Sequence, residues 1–254
     1  MRYGLLLFAS LFSFISRAQN VEVFTGSARF AAGAIKTVES FGKGLVDYGF
    51  SGQLQTTAQF LKVNLGEPQG FYVPIYLLVG ATSGDFGADK VNKGTILGLV
   101  NSTGGVVNLS GNFYANLYKS KSGITNLKFS TLAGAKVVSG RDSTSGGQLK
   151  PAAFIESGLY FQTGAWADGT DYQDGGVFWI QARYALIAMS QDDLKTFFGN
   201  NQGQMPSGPK IEMGIFIKDR VNVKLSFYKA ITGKDIPTLG DSQFRIGLDY
   251  SVAK

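Results

Sequence analysis

Three aspartates in a glycine-rich segment are the residues of this sequence that come nearest to a metal-binding pattern. Asp168, Asp171 and Asp174 lie in DGTDYQDGG, and carboxylate oxygens are the ligands that calcium prefers. Their spacing lacks the alternate-residue ligands and the invariant glycine of an EF-hand loop. Aspartate and glycine are also residues that turns favour. We therefore interpret the segment as a turn and predict no metal site.

The residue types that are absent exclude most other catalytic sites. The chain contains no His and no Cys, so His-dependent triads, zinc sites and thiol nucleophiles are excluded. Residues 101–111, NSTGGVVNLSG, resemble a phosphate-binding loop only in their glycines, and we interpret them as a turn leading into a strand. Catalysis could use only carboxylates, Ser and Lys, or Tyr. We predict a protein that is not an enzyme and needs no cofactor.

Charged residues instead recur at alternate positions of segments that have the period of a β-strand. In VNLSGNFYANLYK, Val107 and Leu109 share one face. Asn108 and Asn112 lie on the opposite face. Elsewhere the same alternation brings both signs of charge onto the polar face, where they could form a plug of salt bridges or line a pathway. The predicted polar network of the lumen contains Lys128, Lys136, Glu156, Arg183, Glu212, Lys224, Arg245 and Asp249.

These alternating segments predict an all-β fold. Nine of them lie between residues 45 and 252, including 45–64 as one strand with a bulge near Phe60, and residues 20–30 are a tenth candidate. Several run for about ten residues or more, which suits a tilted bilayer crossing, and short connections alternate with long ones. If the last strand ends in the periplasm, the long connections, which include 83–104 and 190–208, lie outside, and so does residue 45. Ser190 and Asp193 form a capping pair that predicts a helix in the second of these connections. We predict an antiparallel, up-and-down transmembrane β-barrel of about ten strands. The alternative is eight strands, with residues 20–64 partly in the lumen or the periplasm.

Aromatic residues beside the short connections predict a girdle at one membrane–water interface. The members of this predicted girdle are Phe71, Tyr72, Tyr118, Trp166, Phe178, Trp179 and Tyr250.

The N-terminus has the pattern of a secretory signal peptide. Arg2 precedes the apolar run LLLFASLFSFIS, and Ser16-Arg17-Ala18 form a small-x-small cleavage site. We predict that residues 1–18 are a signal peptide and that residues 19–254 form a single β-barrel domain. The chain has 24 Lys and Arg residues against 18 Asp and Glu residues, an excess too small and too scattered to indicate nucleic-acid binding.

The last residues resemble the C-terminal β-signal of Gram-negative outer-membrane β-barrel proteins. Arg245, Gly247, Tyr250 and Val252 occupy its polar, glycine and two hydrophobic positions. Val252 replaces the common terminal aromatic residue, and two residues follow it. The resemblance implies that this segment is the closing strand, that it acts as the assembly signal, and that the barrel-assembly machinery binds it transiently.

The resemblance also implies a location in the cell outer membrane, in contact with its lipid. Two functions stay open for such a barrel. It could be a non-enzymatic structural, accessory or attachment protein, alone or in an envelope protein complex, or a narrow channel for small hydrophilic solutes. A secreted soluble β-sandwich or a lipocalin-like binding protein is a further alternative, because alternation alone does not separate these folds from a membrane barrel.

Overall fold

The structure is a computed structural model in which a defined set of residues is described. The predicted signal peptide, the candidate strand 20–30, Trp166 of the predicted girdle, the aspartates of 168–174 and Val252 lie outside this set. The described residues are 38–40, 43–49, 53–66, 71–83, 93–120, 125–142, 146–164, 176–198, 204–217, 221–234, 236, 239 and 242–251.

Within these ranges the chain forms eleven β-strands and two short α-helices. The strands are β1 (Val38–Ser40), β2 (Lys43–Gly49), β3 (Leu54–Gly66), β4 (Phe71–Ser83), β5 (Val107–Lys119), β6 (Asn126–Asp142), β7 (Gly146–Gly164), β8 (Gly176–Ala188), β9 (Ser207–Ile217), β10 (Val221–Tyr228) and β11 (Gln243–Ser251). The helices are α1 (Lys93–Val100) between β4 and β5, and α2 (Gln191–Phe198) between β8 and β9. No described helix is long and apolar enough to cross a membrane.

Strands β2 to β11 close into an antiparallel barrel. Each strand pairs with the next along the chain, and β11 pairs with β2, where Gly247 lies opposite Asp47. The short β1 precedes β2 and pairs with a later part of β3, where Val38 lies opposite Val63. The prediction of an all-β, up-and-down barrel of about ten strands is confirmed, and the eight-stranded alternative is wrong. The chain has the fold of the barrels that its last residues resemble.

The segment 45–64 is a hairpin, and the prediction of one long strand there is wrong. Its residues are divided between β2 and β3, and the N–H of Gly49 donates to the carbonyl of Gln53 at 2.8 Å. The sequence signal that the prediction overlooked is the pair Gly49 and Gly52, because glycine is a residue type that turns favour. The predicted bulge is confirmed, because the register with β4 shifts between Gln59 and Leu61.

The hairpin changes where the chain enters the barrel. Leu45 lies opposite Asp249, so β2 starts at the end where β11 finishes, and the prediction that residue 45 lies at the other end is wrong. We call this end, which also holds the connections from β3 to β4, β5 to β6, β7 to β8 and β9 to β10, the turn end. The opposite end, which holds the connections containing α1 and α2, is the loop end.

Burial is inverted relative to a soluble protein. On β5, Leu109 is 54% exposed on the outer face, whereas Asn108 is 1% exposed on the inner face. On β10, the outward Leu225 is exposed and the inward Lys224 is buried. The outer wall is therefore apolar and the inner face of the barrel is largely polar, which is the alternation of transmembrane barrels.

The predicted helix in the connection between β8 and β9 is confirmed as α2. The hydroxyl of Ser190 accepts a hydrogen bond from the N–H of Asp193 at 3.1 Å and donates to its carboxylate at 2.6 Å. This reciprocal pair caps the first turn. Leu194 is buried and attaches the helix to the loop end of the barrel.

Candidate functional site: the barrel lumen

The lumen contains three layers of side chains. An apolar layer at the loop end is built around α1, and we call it the loop-end core. Below it lies a charged belt contributed by strands around the barrel. Nearest the turn end is an aromatic layer of Tyr114, Tyr160 and Trp179.

The loop-end core contains α1 because residues 93–106, the described part of the connection between β4 and β5, fold into the barrel. Ile96, Leu99 and Val100 are buried there, and Leu99 is 0% exposed. Burying each such side chain contributes roughly 1.5–3 kcal/mol. These helix residues belong to one buried apolar cluster whose other members are Leu132, Val138, Ala152, Phe154, Ala185, Ile187, Met189, Leu194, Tyr228, Ala230, Ile236 and Leu239.

Residues 83–104 were predicted to form a long outer loop, and the position of α1 shows that this prediction is wrong for residues 93–104. The run TILGLV at 95–100 is apolar, and a loop in water would expose it. That apolar run was the signal for an inward segment. We call residues 93–106 the inner segment.

Polar contacts fix the inner segment to the barrel wall. On β6, Lys136 Nζ donates to the carbonyl oxygens of Leu99 and Asn101, the latter at 2.9 Å, at the C-terminal end of α1. Cations are favourable there because the helix dipole is negative at that end. The side-chain amide of Asn101 donates to Asp47 Oδ2 at 2.8 Å and to Gln55 Oε1 at 3.0 Å.

Further contacts hold the turn that follows α1. Asn108 Nδ2 donates to the carbonyl oxygens of Ser102 and Gly104 at 2.8 and 2.9 Å. Lys210 Nζ donates to Ser102 Oγ at 2.9 Å. The inner segment is therefore bonded to several strands, and it closes the loop end through polar as well as apolar contacts.

The charged belt contains two linked groups of ions. In the first, Glu156 pairs with Lys210 at 2.9 Å and with Arg183 at 3.6 Å. Glu212 pairs with Arg245 at 3.4 Å and lies 3.9 Å from Lys210, which joins the two carboxylates. Glu212 also accepts hydrogen bonds from Gln181 and Ser226.

The second group crosses the junction between the first and last strands of the barrel. Lys224 Nζ lies 3.4 Å from Asp47 Oδ1 and 3.3 Å from Asp249 Oδ1. Asn222 donates to Asp249 at 2.9 Å and accepts a hydrogen bond from Trp179 Nε1 at 2.8 Å. A continuous set of contacts thus runs from the aromatic layer through Asp47 to the inner segment.

The aromatic layer fills the lumen towards the turn end. The rings of Tyr160 and Trp179 are stacked, with centroids 6.3 Å apart, and Tyr114 meets Tyr160 edge-on at 6.2 Å. Lys128 Nζ lies 5.7 and 5.3 Å from the centroids of Tyr114 and Tyr160, within the range of cation–π attraction.

Trp179 was predicted to belong to the outer girdle, and that prediction is wrong. Its side chain is 0% exposed and faces the lumen. Phe178 and Trp179 are consecutive, and consecutive strand residues point to opposite faces, so only one of them can face outwards. Tyr118 is exposed, at 57%.

The structure places all eight residues of the predicted polar network on the inner face, each at most 5% exposed. Three further charged residues of the inner face, Lys210, Asp47 and Lys62, are absent from the predicted network. Lys210 precedes the predicted strand, which starts at Ile211, and the other two lie in 45–64, which was predicted as one strand. Lys210 lies two positions before Glu212, and this alternation was the signal that the strand begins earlier and includes Lys210. Of the predicted assembly signal, Arg245 and Gly247 face the lumen, and Tyr250 pairs through its main chain with Gly44 and Val221.

Positive charge exceeds negative charge among the buried side chains of the described residues. Seven are cations and four are carboxylates. The cations are Lys62, Lys128, Lys136, Arg183, Lys210, Lys224 and Arg245, and the carboxylates are Asp47, Glu156, Glu212 and Asp249. No group of three or more acidic residues within the described ranges could hold a metal ion.

Comparison with known proteins finds no family model that matches the chain and no curated protein that matches its sequence. Among solved structures, the chain is similar to the NanC porin, with a TM-score of 0.33 and 11% identity, covering 82% of this chain and 98% of that one. It is also similar to the β domain of the Bordetella autotransporter BrkA, with a TM-score of 0.36 and 12% identity, covering 84% and 98%. Both TM-scores are low, so the description of this chain as a barrel rests on its own strand pairing.

Proposed function

We propose that this chain is an outer-membrane β-barrel with a closed lumen and a structural, accessory or attachment role in the cell envelope. The observation that carries the proposal is the inverted burial of the strands. A soluble sandwich or lipocalin-like barrel buries apolar side chains, whereas here Glu212 and Lys224 are each 1% exposed and Leu225 is 49% exposed. An apolar wall of this extent is stable in contact with lipid.

The packing of the lumen supports closure over transport. Water in a continuous passage would leave charged side chains accessible, but the belt residues bond to one another and to the inner segment. The loop-end core adds an apolar barrier across the same lumen. Withdrawal of α1 would expose Ile96, Leu99 and Val100, at roughly 1.5–3 kcal/mol for each side chain. A permanently closed barrel is therefore favoured over a gated one.

With the lumen closed, the other surfaces of the barrel suggest its role in the envelope. The outer wall contacts outer-membrane lipid, the C-terminal strand contacts the barrel-assembly machinery during insertion, and the loop end is available to an envelope protein complex. The absence of His and Cys from the sequence supports a role without catalysis. Nothing in the charge distribution favours nucleic acid.

Separate measurements test the membrane location, the closed lumen and the accessory role. Membrane fractionation and gel migration with and without heating should show an outer-membrane protein whose folded form migrates differently, and solubility without detergent would disprove the barrel in a membrane. Purified protein in planar bilayers should carry no current. Discrete conductance steps would disprove the closed lumen. Pull-down from detergent extracts should recover an envelope protein in a fixed ratio, and a chain that binds nothing would argue against the accessory role.

A narrow channel for small hydrophilic solutes is the second candidate. The excess of buried cations among the described residues favours it in one specific form, a path that prefers anions. If bilayer recordings show steps, Arg183→Ala should reduce the preference for anions and Glu212→Ala should increase it. A current that prefers cations would exclude this form of the channel.

A further inference from the structure

We propose that Gly247 acts within the barrel itself, by leaving the space through which Lys224 reaches Asp47 across the junction of the first and last strands. This inference is independent of what the barrel does in the envelope. Gly247 belongs to the segment that resembles a β-signal, and that resemblance implies only that the barrel-assembly machinery recognises it.

The three residues form one row across three neighbouring strands. Lys224 on β10 pairs with Gly247 on β11, and Gly247 pairs with Asp47 on β2. All three positions face the lumen. The side chain of Lys224 therefore passes over Gly247, and its Nζ lies between Asp47 and Asp249. We call this arrangement of Lys224 with two carboxylates the seam clasp.

A side chain at position 247 would occupy the space that the clasp uses. A Cβ built on Gly247 would lie 2.2 Å from Lys224 Cε, 2.8 Å from Lys224 Cγ and 2.4 Å from Asp47 Oδ1. Its three nearest atoms all belong to the clasp side chains. At Gly158, by contrast, the nearest atom is the main-chain oxygen of Ala182, at 2.0 Å. A change in a neighbouring side chain can therefore relieve the clash at Gly247, but it cannot relieve the clash with the main chain at Gly158.

The clasp also joins the junction to the inner segment. Asp47 accepts a hydrogen bond from Asn101 in addition to its ion pair with Lys224. Displacement of Lys224 by a methyl group at 247 would leave Asp47 and Asp249 buried beside each other without their shared cation. We therefore expect Gly247→Ala to weaken both the closure of the barrel and the attachment of the inner segment.

The experiment compares Gly247→Ala in two backgrounds. One is the native chain, and the other carries Lys224→Ala with Asp47→Ala, which removes one charge of each sign and all three atoms that the added Cβ would approach. Purified proteins are refolded into lipid vesicles without assembly machinery, and the urea midpoint of the folded band is measured. Gly111→Ala is the matched control, because a Cβ there meets only ordinary contacts, the nearest being Ile75 Cγ1 at 3.7 Å.

The expected result is a large fall in the urea midpoint for Gly247→Ala in the native background, and little change in the clasp-free background or for Gly111→Ala. Equal losses in both backgrounds would overturn the proposal. It would also be overturned if Gly247→Ala refolded normally in vesicles and failed only in cells, since that result assigns the glycine to recognition. If the clasp-free background does not refold, Lys224→Ala alone is the second background, because it removes two of the three close contacts.

Discussion

Lys136 Nζ on β6 donates to the main-chain oxygen of Asn101 at 2.9 Å, so a strand of the wall caps the C-terminal end of the helix inside the barrel. The same ammonium lies 4.8 Å from the centroid of Phe154 in the loop-end core. One side chain thus joins the polar and apolar attachments of the inner segment.

Lys136→Met should loosen the inner segment, because it preserves the apolar stem and removes the charged donor. Hydrogen bonds to a charged group contribute about 1.5–3 kcal/mol, and a loss of that size is expected in the free energy of unfolding. Labelling of Ser102→Cys by a maleimide should also become faster, and this cysteine is unique because the chain has none. Lys229→Met, at an exposed position, is the control. Unchanged labelling would show that Lys136 does not hold the segment.

Glu156→Gln should destabilise the charged belt, because Lys210 and Arg183 would lose the carboxylate between them. Removing one partner of a buried ion pair costs about 3–5 kcal/mol. The folded band of the variant should therefore disappear at a lower temperature than that of the native chain. Asp192→Asn, which changes an exposed carboxylate on α2, should leave that temperature unchanged. Equal temperatures for Glu156→Gln and the native chain would contradict the ion-pair network.

A single-tryptophan variant should report the inward position of Trp179. In Trp166→Phe, the remaining indole is expected to emit at short wavelength and to resist quenching by brominated lipid, because it packs on Tyr160 in the lumen. The comparison variant carries Trp166→Phe, Trp179→Phe and Phe178→Trp, and its outward indole should be quenched. Strong lipid quenching of Trp179 would mean that this side chain faces the lipid and that the inner and outer faces of β8 are assigned the wrong way round.

The N-terminal cap of α2 should depend on pH. Burial alone would raise the pKa of Asp193, but hydrogen bonds from Ser190 and Lys150 and the charge of Lys150 hold it below its usual value. A lowered carboxyl pKa stabilises the folded helix above the usual value, and this contribution is lost as pH falls. Lys150→Met should speed amide exchange at Leu194 near neutral pH and have little effect in strong acid. An effect of equal size in acid would exclude the ion pair as its cause.

The C-terminal strand should be required for insertion in cells. Deletion of residues 245–254 removes the pairing partner of β2 and β10, and the protein should be degraded in the periplasm. Tyr250→Asp should have the same result, although a charge near the interface costs only about 0–1 kcal/mol directly. Deletion of Ala253 and Lys254 alone should change little. Normal outer-membrane levels of the 245–254 deletion, measured by fractionation, would show that the barrel closes without this strand.

The sequence predicts the wall of this barrel better than its contents. Period-two alternation identifies most strands. It also predicts which face Lys128 or Arg245 occupies, because that face is determined by the neighbouring residues of the same strand. The partners within the lumen are not local. The contact of Lys224 with Asp47 depends on the register of three strands, and one of them was hidden by the unrecognised turn after Gly49.

The inner segment was missed for a related reason. The apolar run around Ile96 indicates burial, but it does not identify what covers it, because other members of its cluster come from distant strands such as β7 and β8. Trp179 shows the same limit on a smaller scale, because an aromatic residue near a turn suits either the interface or a packed lumen. Only the parity of the complete strand decides between them.

The packed lumen also bears on how many copies of this protein one cell can carry. Each open pore adds a leak, so the abundance of a pore protein is limited by the permeability that the cell tolerates. If the lumen is closed as proposed, this barrel adds wall area and loop surface without adding a leak. Its abundance is then limited by the area of the membrane alone, and dense arrays of it would leave the permeability barrier intact.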